Sequence, residues 1–246
     1  MLNTGRDSSE VKFITQIEKK DSSISFFDEH GKDYLENQRK FYSQSPDTGR
    51  RFFQESLGLN IEKMTVTDIG CGAGDDLLTY EEMGAKKVIG IEPSISMLSE
   101  AKKTLGENHP GIELVAGNWK HIPLADGSVD AIMGRYSFHV MSDFDEAILE
   151  VARVLKKDGL FLIAAPHPIH DAKIAAEQNL KPGEKMKKPI FEGKFIVENP
   201  PHTLEDYLSK TCLEHFTLEE QKDYSMFEDE NETEPTGILL KFRKKG

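Results

Sequence analysis

The chain has 246 residues, 37% of them hydrophobic and 30% charged, a balance that supports one elaborated domain with a real apolar core. Its formal net charge is −12, and a surface of that sign repels phosphate backbones and anionic lipid, so neither nucleic acid nor membrane is an expected partner. Cys71 and Cys212 are too few for a disulfide framework, and no apolar run reaches the about 18 residues of a membrane span, so a cytoplasmic location is expected.

The chain opens on a polar stretch with a break expected at Asp21-Ser22-Ser23. Residues 26–57 then carry Phe26, Phe27, Tyr34, Phe41, Tyr42, Phe52 and Phe53 in a helical context. They read as one or two helices broken near Ser45-Pro46-Asp47, because proline disfavours helix in the residue before it. From residue 64 the pattern alternates. Strand-like runs at 64–69, 87–92, 112–116, 129–134 and 160–165 are separated by helix-like stretches at 75–83, 96–106 and 143–156. Short apolar strands alternating with amphipathic helices imply βαβ crossovers and a parallel sheet covered on both faces. For the helix at 143–156, Ser142 is the expected N-cap, with Asp143, Asp145 and Glu146 in the first turn and Lys156 and Lys157 at the end.

After Pro166 this rhythm stops. Residues 166–201 hold six prolines and the basic stretch 181–188, which reads as an insertion or lid; its lysines could favour an acidic acceptor, but a solvated loop is the reading preferred. A helix at 203–212, a strand at 214–224, an acidic loop at 228–234 and a last strand at 237–243 complete an antiparallel hairpin. The expected organisation is a helical lid over residues 1–57 and a main domain over 58–246, with 166–201 on the acceptor side.

The strongest chemical signal is Val66-Thr67-Asp68-Ile69-Gly70-Cys71-Gly72-Ala73-Gly74-Asp75-Asp76. It lies where a strand ends and a helix begins, and glycines there let the backbone turn tightly against a ligand. Asp75 stands where the dinucleotide fingerprint needs a glycine, which weakens a pyrophosphate-binding or dehydrogenase reading. Cys71 reads as a small buried filler. Glu92, eighteen residues beyond Gly74, ends the next strand, where a carboxylate can accept hydrogen bonds from a ribose diol.

The run at 66–76 resembles motif I of class I S-adenosylmethionine (SAM)-dependent methyltransferases, and residues 122–139 are similar to the fourth strand and following loop of the UbiE/type-11 branch. The match spans about residues 64–166. The resemblance implies a Rossmann-like, seven-stranded, mostly parallel sheet with helices on both faces. It implies that Asp68, Gly70, Gly72 and Gly74 surround the methionine part of SAM and that Glu92 holds its ribose. Pro93 follows that carboxylate, Met97 takes the place of an apolar adenine contact, and Asn118 takes the place of an adenine-binding acidic residue. Trp119 flanks the adenine or packs structurally, and Arg135 lies on the loop that borders the cofactor.

On this resemblance the protein transfers a methyl group from SAM to a small-molecule acceptor with an oxygen, nitrogen or carbon nucleophile. A SAM-binding regulatory or scaffolding protein without turnover is the alternative. His139, after the fourth strand, is the candidate base, with packing as its other reading, and Tyr34 resembles a lid aromatic that covers SAM. His167 and His170 form an H-x-x-H pair, but nothing is spaced to complete a site with them, so no metal is expected. The expected state is a monomer or homodimer.

Overall fold

The structure, a computed structural model, describes residues 22–43, 47–225 and 234–246. The polar N-terminal stretch, the Ser45-Pro46 part of the expected break and most of the acidic loop lie outside the described residues.

The aromatic segment forms helix α1, Ser22–Tyr42, and helix α2, Thr48–Leu57. Asp47 caps α2 by accepting from the Arg50 N–H at 2.9 Å, and Gly58 ends it at φ 61°. The two helices have different roles. Phe52, Phe53 and Leu57 of α2 are buried with Val66, Met133 and Leu162 of the main sheet, whereas α1 lies against helix α4 (Ile95–Leu105) and strand β7 (Phe195–Asn199).

Five strands alternate with helices as expected: β1 (Thr65–Ile69), β2 (Lys87–Glu92), β3 (Ile112–Ala116), β4 (Val129–Arg135) and β5 (Leu155–Pro166). With β8 (Phe216–Tyr224) and β9 (Gly237–Lys244) they make a seven-stranded sheet in the order β3-β2-β1-β4-β5-β9-β8. Pairings from β3 through β5 are parallel, and β9 runs antiparallel between β5 and β8. Side chains alternate across each strand, so the sheet buries two cores. Ile69, Ile132 and Phe161 face α5 (Asp145–Val154) and α8 (Lys210–His215), while Val66, Met133 and Leu162 face α2 and α3 (Asp75–Glu82). Strand order reverses between β1 and β4, which opens a crevice at their carboxyl ends.

Local differences from the sequence reading have local causes. Helix α5 starts at Asp145, behind Phe144 instead of a Ser142 cap, because the Asp143 carboxylate accepts from the Asp145 N–H at 3.0 Å and makes a turn there. Strand β5 begins at Leu155, which pairs with Val129. The helix expected at 203–212 is split into α7 (Leu204–Tyr207) and α8. Thr203 and Asp206 form a capping box on α7, and Ser209 caps α8 by accepting from the Cys212 N–H at 3.2 Å. Residues 166–201 are not irregular: they hold α6 (Pro168–Glu177) and an antiparallel pair, β6 (Met186–Ile190) with β7.

Candidate active site

The loop after β1 is built on left-handed glycines, with φ of 76° at Gly70, 56° at Gly72 and 80° at Gly74. A Cβ on Gly70 would come within 2.4 Å of the Ser137 Cβ, so only glycine fits beside the loop after β4. Ser137 holds that approach by donating to the Ile69 carbonyl at 2.5 Å. Gly74 is the left-handed cap from which α3 starts.

Three carboxylates surround this loop. Glu92, 5% exposed, accepts from the Gly72 N–H at 3.0 Å and the Ser94 N–H at 2.9 Å. Burial outweighs those bonds and pushes its carboxyl up to about 7. Asp76 is also buried, which alone would raise it, but Arg135 and Arg50 together hold it below the usual carboxylate range. Arg50 lies 2.6 Å from Asp76, and Arg135 also pairs with Asp47 at 3.1 Å. Asp68 is 3% exposed and has neither a hydrogen bond nor an ion pair among the described residues. Burial, with Asp76 and Glu92 close by, raises its carboxyl well above the ordinary value.

These residues line a cavity of about 620 Å³ together with Pro93, Met97, Asn118 and Trp119. Met97 is buried, with its Cε 3.3 Å from a Cβ built on Gly72. The Asn118 side-chain oxygen accepts from the Lys120 and His121 N–H groups, both at 2.9 Å, so its first task is to fix its own turn. Trp119 is buried edge-to-face on Phe138, at 4.9 Å between ring centres, and occupies the space a Cβ on Gly134 would need. It is part of the core as well as the cavity rim. Arg135 lines the cavity too, but its guanidinium binds Asp76 and Asp47.

A second cavity, about 1400 Å³, lies between α1 and the β6–β7 pair. The two cavities share Phe27, Tyr34, Gln38, Tyr136 and Val140, so they meet beneath α1. Tyr34 sits edge-on to Phe27 at 5.1 Å and to Phe191 at 5.3 Å, and burial raises its hydroxyl pKa. Tyr136 adopts φ 54°, and its hydroxyl pairs with that of Tyr224. His139 lines the larger cavity; it is 7% exposed, and its buried Nδ1 has no partner among the described residues. Burial first, then Lys188 and His202, hold its pKa well below the usual histidine value, which leaves a neutral ring.

The H-x-x-H pair is divided between two roles. His167 caps α6, its Nδ1 accepting from the Ile169 N–H at 3.1 Å, while His170 lines the larger cavity. Among the described residues no group of three or more His, Cys, Asp or Glu side chains could hold a metal ion. Sequence reasoning missed Asp47, Arg50 and Asp76, whose ion pairs bring together residues far apart in the chain. It also missed Lys188, which lay in a stretch read as solvated.

A buried, unpartnered carboxylate beside a glycine cradle needs a cation to offset it, and the amino group of SAM meets that need. Glu92, whose own bonds leave further acceptor capacity, suits the ribose hydroxyls. The residues present therefore fit SAM.

Residues 67–163 match the family described as Methyltransferase domain. Over 179 residues the chain is 28% identical to the ubiquinone/menaquinone biosynthesis C-methyltransferase UbiE of Campylobacter jejuni, covering 68% of this chain and 72% of that protein. Over 118 residues it is 37% identical to the methyltransferase YcgJ of Bacillus subtilis, covering 44% of this chain and 46% of that one. The fold superposes on an S-adenosylmethionine-dependent methyltransferase of Mesorhizobium loti with a TM-score of 0.60 at 20% identity, covering 77% of this chain and 94% of the other.

Proposed function

We propose that this chain, which carries a class I SAM-dependent methyltransferase domain, methylates a small acceptor bound in the larger cavity beneath α1. SAM, when bound, supplies a methyl group on a sulfonium whose departure leaves a neutral thioether. The observation that carries the reading is the junction of the two cavities at Tyr34 and Tyr136. A cofactor in the smaller cavity and an acceptor in the larger one would meet there, away from bulk water.

On this reading Asp68 binds the amino group, Glu92 the ribose hydroxyls, and Met97 and Trp119 border the adenine. Pro93 shapes the turn after Glu92, and the backbone at Asn118 forms the far rim. Arg135 acts indirectly: it anchors Asp76 and Asp47 and so fixes α2 and α3 around the glycine loop. The helix α1 acts as the lid, with Tyr34 as its inner face. Holding two reactants in line can supply several kcal/mol of a displacement barrier, which is the main task of such a site. His139, neutral and on the lining of the larger cavity, is the candidate base for an acceptor that must lose a proton.

The test is transfer of labelled methyl from SAM to a panel of small phenols, acids, amines and enols, with S-adenosylhomocysteine followed as the co-product. Turnover with at least one acceptor is expected, and Asp68→Asn should abolish it. A protein that binds SAM but yields no S-adenosylhomocysteine with any of them would instead be a sensor or scaffold.

A further inference from the structure

Four buried ionisable groups lie outside the cofactor site, two of them, Lys188 and His139, on the lining of the larger cavity. Lys188, Asp171, His139 and His202 are 8%, 1%, 7% and 5% exposed. Strand alternation explains how a lysine comes to lie there. Along β6, Met186 and Lys188 point inward while Lys187 and Pro189 point out. Gln178 fixes that register, since its amide donates to the Lys187 carbonyl at 2.7 Å and its oxygen accepts from the Lys187 N–H at 3.0 Å. Lys188 therefore differs from the solvated lysines around it.

The four groups form one chain of contacts. The Lys188 ammonium pairs with one oxygen of Asp171, whose other oxygen accepts from the His202 N–H at 3.4 Å. The His202 ring in turn donates to the His139 carbonyl at 2.9 Å. Asp171 takes one ammonium proton, and no other hydrogen bond of Lys188 exists among the described residues, so further N–H donors remain beside the cavity. His139 Nδ1 is without a partner among the described residues but is itself fully buried. A buried ion pair is rarely the most stabilising choice for a core, and spare ammonium donors beside a cavity make a receptor for an oxyanion. The walls combine apolar side chains, Phe26, Phe41, Ile174, Ile190 and Phe191, with polar and charged ones that include Glu29, Glu177, Glu192 and Glu198.

We propose that Lys188 and His139 form an oxyanion-binding subsite, so that the acceptor is an apolar molecule carrying an acidic hydroxyl, either a carboxylic acid or a phenol. The inference rests on the larger cavity being the acceptor site. The acceptor binds as its conjugate base: the O–H bond breaks, the proton passes to solvent, and the oxygen keeps the electron pair and lies against the Lys188 ammonium, beside the His139 ring. The Lys188 ammonium, held by Asp171 through one proton, gives that oxyanion a charge-assisted hydrogen bond. Asp171 is a positioning residue that aims the ammonium.

Matched probes test this without cofactor. Calorimetry with octanoate, octanol and octylamine should show octanoate binding about tenfold or more tighter than octanol, the scale of one charge-assisted hydrogen bond, with octylamine weakest. Lys188→Met should erase the preference. If that variant fails to fold, Lys188→Met with Asp171→Leu removes both buried charges and replaces it. The phenol arm uses 4-nitrophenol in mildly acidic buffer, where binding should raise the phenolate absorbance and octanoate should reverse it. Equal affinity for octanol and octanoate with no phenolate signal would overturn the proposal, as would a preference that survives removal of Lys188. Binding of S-adenosylhomocysteine, measured in parallel, separates failure of this subsite from failure of the methyltransferase reading.

Discussion

Glu92, at the end of β2, accepts a hydrogen bond from the Gly72 N–H at 3.0 Å, so the carboxylate of one strand clasps the glycine loop of its neighbour. The same group is pushed up to about 7 by burial, against an ordinary value of 4.5. Between those values the native state keeps a proton that the unfolded chain has lost, so stability falls as pH rises through this window and levels off above about 7. A ligand whose ribose hydroxyls donate to the ionised form has the opposite dependence. S-adenosylhomocysteine should bind more tightly as pH rises from about 5.5 to about 7, and Glu92→Gln should weaken binding by about 1.5–3 kcal/mol and reduce the slope. Calorimetry across that range checks both; a wild-type affinity independent of pH would show that the carboxylate does not meet the ligand.

Gly70 offers a steric test of the cradle. Its φ of 76° disfavours a side chain, and an added Cβ would sit 2.4 Å from that of Ser137. Strain and overpacking together should cost about 2–5 kcal/mol in Gly70→Ala. Gly58→Ala, at φ 61° with nothing within 4 Å of the new methyl, isolates the strain alone and should lose less. Denaturant melts of the two variants give the comparison, and equal losses would mean the close approach to Ser137 is unimportant.

The alternating core from β1 to β5 was legible because parallel strands buried on both faces read as apolar runs, and Gly70, Gly72, Gly74 and Glu92 mark their ends at fixed spacing. The β6–β7 pair was not legible. Its prolines signalled a loop, yet Pro189 sits on an outward position of a two-stranded sheet, where a missing N–H is tolerated. Lys188 was misread for a related reason: within a run of lysines only the strand register decides which one is buried. The ion pairs of Asp76 had no local signal, since Arg50 and Arg135 come from opposite directions in sequence.

Arg135 joins Asp76 of α3 to Asp47 at the start of α2, and both carboxylates are largely buried. Arg135→Met should destabilise the fold by about 3 kcal/mol, the low end for breaking a buried pair because Arg50 still faces Asp76. Asp76 is held below its unfolded value of 3.8, so its contribution is fully present above that pH and is lost as pH falls through the lower folded value. In the variant the folded value rises, and the acid-unfolding midpoint should move to higher pH. Acid titration followed by circular dichroism measures the shift, and an unchanged midpoint would mean Arg50 alone suffices.

Residues of helix α1 line both cavities, and its polar fastenings among the described residues are few. Arg39 pairs with Asp75 at 2.9 Å and donates to Thr104 at 3.0 Å, Asp28 accepts from the Ser94 hydroxyl at 2.7 Å, and Phe26 meets Phe195 edge-on at 5.8 Å. The first of these pairs is half-exposed and stabilises little. By contrast Phe52, Phe53 and Leu57 anchor α2 in the core, so a deletion that ends before Asp47 spares the sheet. Removing residues 1–43 should therefore leave a cooperative thermal transition while turnover falls, because water then reaches the junction at Tyr34 and Tyr136. In the full chain, trypsin should cut at Lys32, Arg39 or Lys40, and S-adenosylhomocysteine should slow that cleavage by ordering the helix against the filled cavity. Mass spectrometry of the fragments identifies the sites. A truncated protein that methylates its acceptor at the full rate would show that α1 packs beside the site without closing it.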